Sequence, residues 1–67
     1  MKVEYDPVRD LLYLAFNLGA KAVETVTVKP GVYADFDVKG RLIGLEILDA
    51  SGRMENPRSV EYAVAKP

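Results

Sequence analysis

Asp35, Asp37 and Glu46 lie within DFDVKGRLIGLE, the first two on one apolar-polar alternation and the third on another, with Lys39-Gly40 between them. Residues two apart on a strand point the same way about 7 Å from each other, and diagonal neighbours on the next strand are about 7 to 8 Å away. Carboxylates at that separation are able to hold a hard cation with water completing its shell, or to act as the acid and base of an inverting glycosidase. The same acids also suit the wet side of a half-buried hairpin, because charged residues are mostly exposed and outward acids deter edge-to-edge association. A catalytic or metal site would also need a cleft, and neighbouring strands offer an open face. Asp49 reads as the N-cap of a helical turn that starts Asp49-Ala50-Ser51.

Other chemistries find no residues. The chain has no cysteine and no histidine, so disulfides, ordinary zinc sites and the usual nucleophilic triads are excluded, and Ser51 and Ser59 have no base to activate them. No glycine-rich phosphate loop is present. We expect no cofactor, and we expect a protein that is not an enzyme.

The elements that must position the acids follow from period-2 alternation interrupted by turn residues, the pattern of an antiparallel all-β or β-rich α+β domain. Strands are expected at Lys2–Tyr5, Leu11–Phe16, Ala22–Lys29, Val32–Val38 and Leu42–Leu48, with one helical turn near 50–54. Ser59–Ala65, with Val60, Tyr62 and Val64 on one side, reads as a sixth strand, although Val60, Ala63 and Val64 also suit a short helix. Leu11–Phe16 is apolar at nearly every position and is the expected central strand, one face on the core and the other against a partner subunit.

The register of the Val32–Val38 and Leu42–Leu48 hairpin decides where the acids sit. Val32, Ala34, Phe36 and Val38 share a face with Ile43, Leu45 and Ile47 only if paired residue numbers sum to an odd value, which a two-residue Lys39-Gly40 loop or a four-residue Val38–Arg41 loop provides. Phe36 then opposes Ile43, Ala34 opposes Leu45, and Tyr33, Asp35 and Asp37 face outward beside Glu46, Gly44 and Leu42. A three-residue loop with Gly40 as bulge residue would pair Asp37 with Arg41, but it would turn Glu46 onto the apolar face at a cost of several kcal/mol. The odd register is preferred.

Sixty-seven residues form one domain, spanning 1–67, near the lower size limit for folding alone. Without a disulfide or a zinc site, self-association is the stabilising device left, and a homo-oligomer is expected through Leu11, Tyr13, Ala15, Tyr33 and Tyr62. A net charge of -1 with interspersed signs gives no basic stripe, so nucleic-acid binding is not expected. The longest apolar run is too short to span a bilayer and the N-terminus lacks the order of a signal peptide, so a soluble cytoplasmic protein is expected. The absence of glutamine and cysteine, with two asparagines, leans toward a heat-adapted host.

YDPVRDLLYL at 5–14, TVTVKPGV at 25–32 and DFDVKGRLIGLEILDAS at 35–51 resemble a family of short prokaryotic proteins known as domain of unknown function 2283. The resemblance rests on Tyr5, Asp6, Pro7, Leu12, Tyr13, Pro30, Gly31, Asp35, Asp37, Gly40, Gly44, Glu46, Ile47 and Ala50, and covers residues 2–54. Lys29 and Ala15 depart from it, where relatives often carry an acid and a basic residue. It implies a small β-rich fold without an established chemistry and, from the gene neighbourhoods of some members, an antitoxin-like role beside a small ribonuclease-like toxin. The leading expectation is therefore a self-associating interaction module with a protein partner encoded nearby; a carboxylate-based metal or hydrolytic site at Asp35, Asp37 and Glu46 is the alternative.

Overall fold

The computed structural model describes residues 1–67. It contains five strands, β1 (Lys2–Asp6), β2 (Leu11–Ala15), β3 (Glu24–Lys29), β4 (Val32–Phe36) and β5 (Leu42–Leu48), followed by a helical turn α1 (Ala50–Arg53). They form one antiparallel sheet in the order β1-β2-β5-β4-β3. Two hairpins, β1-β2 and β3-β4, flank β5, which closes the meander by pairing with both β2 and β4. The central strand is therefore β5, not Leu11–Phe16, which lies one place out. Its apolar run reflects side chains that are buried or half-buried on both faces of the strand.

Period-2 patterning sorts the side chains onto two faces. Cross-strand pairing aligns Val3, Leu14, Leu45, Ala34 and Val26 in one row and Tyr5, Leu12, Ile47 and Val32 in the next, making one apolar face. The opposite face carries Glu4, Tyr13, Glu46, Tyr33 and Thr27 in one row, with Ala15, Gly44, Asp35 and Thr25 beside it. Leu12, Ala34, Ile43 and Ala50 are the buried apolar residues, and Val26 keeps 42% of its surface exposed. A sheet face of this kind is normally covered by a second layer. Here only the irregular segment after α1 lies against it, with Val60 and Tyr62 beside Val3 and Leu14.

Ser59–Ala65 forms neither strand nor helix. Beyond Ser59 no residue takes part in a backbone–backbone hydrogen bond. A strand is defined by its neighbour, and Val60 and Tyr62 lie beside Met1, Val3 and Leu14 without backbone pairing to the β1 edge.

The β4-β5 register combines the two hairpins that the alternation offers. Ala34 opposes Leu45, Tyr33 opposes Glu46 and Asp35 opposes Gly44, in the odd register, but Phe36 opposes Leu42 and not Ile43. Ile43 is the extra residue of a β-bulge, and it shifts the parity of everything nearer the turn. The loop is accordingly three residues long, closed by Asp37 N–H donating to the Arg41 carbonyl at 3.0 Å, with Gly40 at φ 77°. The bulge removes the conflict that disfavoured this loop, because Glu46 stays on the polar face.

Candidate functional site

The polar face gathers Tyr13, Tyr33, Asp35 and Glu46 from β2, β4 and β5. Asp35 is held from both sides: the Tyr13 hydroxyl donates to Oδ2 at 3.1 Å and the Thr25 hydroxyl donates to Oδ1 at 2.6 Å. The Tyr13 ring reaches Asp35 by lying over Gly44, where a Cβ would collide with the Tyr13 hydroxyl and come within 2.9 Å of its ring carbon Cζ. Burial pushes the Tyr13 phenol up from its ordinary value, and the hydrogen bond to Asp35 and the charges of Asp35 and Glu46 add to the shift. Glu46 stands between Tyr13 and Tyr33 in the cross-strand row and makes no side-chain hydrogen bond.

Asp37 is not with them. It is buried at the hairpin end, where Oδ1 accepts the N–H groups of Lys39 and Arg41, both at 2.9 Å, and Oδ2 accepts Arg41 Nε at 2.8 Å. Those bonds, led by the Arg41 backbone N–H, hold its carboxyl below the usual carboxylate value against the opposing effect of desolvation. Both oxygens are committed to shaping the loop. The expected trio thus divides into Asp35 and Glu46 on one face and Asp37 in a turn, and no group of three or more acidic side chains is arranged to hold a metal ion.

Asp10 is the polar centre that sequence reasoning missed. It sits at φ 53°, accepts the Tyr5 hydroxyl at 2.7 Å and the Ser51 N–H at 3.0 Å on Oδ1, and accepts the Ser51 hydroxyl at 2.6 Å on Oδ2. Its carbonyl also accepts the Ala50 N–H at 3.0 Å. The expected cap, Asp49, occupies the N-cap position at φ 53° but makes no side-chain cap bond. Asp10 supplies the caps from 41 residues away, which no local spacing signals. What was available is that an aspartate ending a tight turn tolerates the left-handed region. Bonds from Ser51 and Tyr5 hold the Asp10 carboxyl below its ordinary value, and the Tyr5 phenol is correspondingly raised, chiefly by its bond to Asp10.

Of the residues expected at an interface, Leu11, Tyr13, Ala15 and Tyr33 share the polar face, all half-buried, whereas Tyr62 lies in the C-terminal segment on the apolar side. There Val60 and Tyr62 line a shallow groove with Met1, Val3 and Leu14. The Arg58 guanidinium stacks over the Tyr5 ring, 5.7 Å from its centroid, and fixes where the segment enters. No helix is long and apolar enough to cross a membrane.

A family model described as "Protein of unknown function (DUF2283)" matches residues 2–51. No curated protein and no solved structure matches the chain. With most of its length matched, the chain belongs to that family.

Proposed function

We propose that this member of the DUF2283 family is a self-associating interaction module whose apolar sheet face closes against the same face of a second copy. The observation that carries this reading is surface area. The chain exposes 5242 Å², whereas a compact monomer of 7.4 kDa exposes about 4,200 Å². The excess, roughly 1,000 Å² and partly due to the extended C-terminal segment, is of the size that each partner buries in a standard interface, about 800 Å². Two sheets pack about 10 Å apart with interdigitating inner side chains, the missing second layer of this fold.

Sedimentation equilibrium tests the reading. The native chain is expected to be dimeric at micromolar concentration, and Leu45→Lys, which places a charge in the middle of the face, is expected to make it monomeric. A native chain that stays monomeric and well folded overturns the proposal.

An antitoxin-like role would add a second partner at a free edge or on the outer side of Leu11–Ala15. It is supported by the same shortage of cover and tested by co-purification with the product of the adjacent gene. The rival carboxylate centre keeps only Asp35 and Glu46 on a common face, with Asp37 engaged in its loop. If divalent cations leave the melting temperature of the native chain and of Glu46→Ala equally unchanged, that rival falls.

A further inference from the structure

We infer that residues 60–66 of one copy form a sixth strand on the β3 edge of the second copy, so that a dimer consists of two six-stranded layers that exchange their C-terminal segments. This rests on the face-to-face reading above and specifies its two-fold axis.

The segment already runs in the right place and direction. Arg58 stacks on Tyr5, while Val60 and Tyr62 lie beside Met1, Val3 and Leu14. The segment therefore crosses β1 from its Asp6 end toward its Lys2 end, antiparallel to it. In the order β1-β2-β5-β4-β3 with every pair antiparallel, β1 and β3 run the same way. A two-fold axis parallel to the strands preserves strand direction and exchanges the sheet's two edges. It places the β3 edge of the second copy next to the first copy's C-terminal segment, with the two chains antiparallel. One layer then reads β1-β2-β5-β4-β3 plus the partner's segment, and the opposing layer is the same order reversed.

The segment is too far from its own β3 to pair there. The two edges are four strand spacings apart, about 19 Å, and Val60 and Tyr62 are held over β1 and β2.

The sequences of edge and segment match in an antiparallel register that sets Val26 opposite Val64 and brings Val28, at the β-bulge between Thr27 and Lys29, to Tyr62. These four are 42%, 82%, 61% and 74% exposed. Val26 and Tyr62 both belong to the apolar side. The same register sets Thr27 opposite Ala63 and Thr25 opposite Ala65, and it pairs the opposite charges of Glu24 and Lys66 at its end. On the β1 edge, two of the registers that keep the apolar sides together set Glu61 against Asp6 or Glu4, where like charges are destabilising, and a third sets it against Lys2. Pairing also gives hydrogen-bond partners to two rows of backbone groups that have none in the single copy, the outer row of β3 and that of residues 60–66.

The absence of native cysteine makes the register directly measurable. One sample carries Thr27→Cys and another Ala63→Cys; they are mixed, oxidised, and the mixed disulfide is identified by mass. A second mixture of Thr25→Cys with Ala63→Cys serves as the out-of-register control. We expect the 27–63 product to dominate its control, and a chain ending at Arg58 to dimerise about tenfold more weakly. If the native chain is dimeric and sensitive to Leu45→Lys, but neither the disulfide preference nor the effect of truncation is seen, the strand exchange is overturned and the face-to-face dimer stands. A monomeric native chain overturns both.

Discussion

The Tyr13 hydroxyl on β2 donates to Asp35 Oδ2 on β4 at 3.1 Å, across the whole width of β5, over the bare Cα of Gly44. A side chain at position 44 would occupy the space of the phenol. Gly44→Val is therefore expected to destabilise the chain by about 1–3 kcal/mol through overpacking. Tyr13→Ala in the same background should restore part of the loss, because the colliding ring is gone. Urea denaturation of the two single variants and the double variant measures the coupling, and additive effects would remove the ring-over-glycine contact as the reason for Gly44.

Four shifted groups set the pH range of stability. Asp10 and Asp37 are held below their ordinary value of 3.8, so their contribution is present above that pH and is lost as pH falls toward their folded values. Tyr5 and Tyr13 are held above their ordinary value of 10.0. Their contribution is complete below that pH and is lost as pH rises through the folded values. The melting temperature should be level across the neutral range, falling below 3.8 and above 10.0. Asp37→Asn should flatten the acid limb and leave the alkaline limb unchanged; Tyr13→Phe should do the reverse. Thermal melts on the acid and alkaline sides of neutrality read both limbs.

Asp10 ties the β1-β2 turn to α1 through Ser51, at 3.0 Å from the N–H and 2.6 Å from the hydroxyl. Asparagine tolerates the left-handed backbone at φ 53° but brings no charge, whereas alanine loses the caps and also strains the backbone. The melting temperature is expected to fall in the order native, Asp10→Asn, Asp10→Ala. Hydrogen exchange at Ser51 should quicken first, since its amide bonds to the Asp10 carboxylate. Equal effects of Asn and Ala would assign the whole role to the turn and none to the cap.

What the sequence disclosed was what period-2 alternation and turn chemistry encode. Five strands, the helical turn at 50–53 and the pairs Ala34–Leu45, Tyr33–Glu46 and Asp35–Gly44 follow from apolar residues needing one common face. Ile43 was not readable as a bulge, because Leu42 and Ile43 are both apolar and the pattern is satisfied with either one facing in. Asp37 was assigned outward for the same reason: alternation carries no information about a parity change on the facing strand. The Asp10–Ser51 bonds span 41 positions, and nothing in a local pattern reports a tertiary cap. The strand pattern of 59–65 was legible, but in the single copy the segment lies beside Met1, Val3 and Leu14 without pairing to an edge.

Gly40 gives the cleanest test of the bulged hairpin. Its φ of 77° places it in the left-handed region, and an added Cβ would meet nothing within 4 Å. Any cost of Gly40→Ala is therefore conformational, about 1–2 kcal/mol for an L-residue forced there. Asparagine, which visits that region more readily, should cost less. A two-residue Lys39-Gly40 loop of the mirror-image type would also need positive φ at Lys39, whose backbone does not adopt it. Replacing Lys39 separates the two loops: Lys39→Gly is expected to destabilise slightly through unfolded-state entropy in the three-residue loop, and would stabilise a two-residue loop by relieving strain. Denaturant midpoints of Gly40→Ala, Gly40→Asn and Lys39→Gly, at unchanged m-value, give the sign for each.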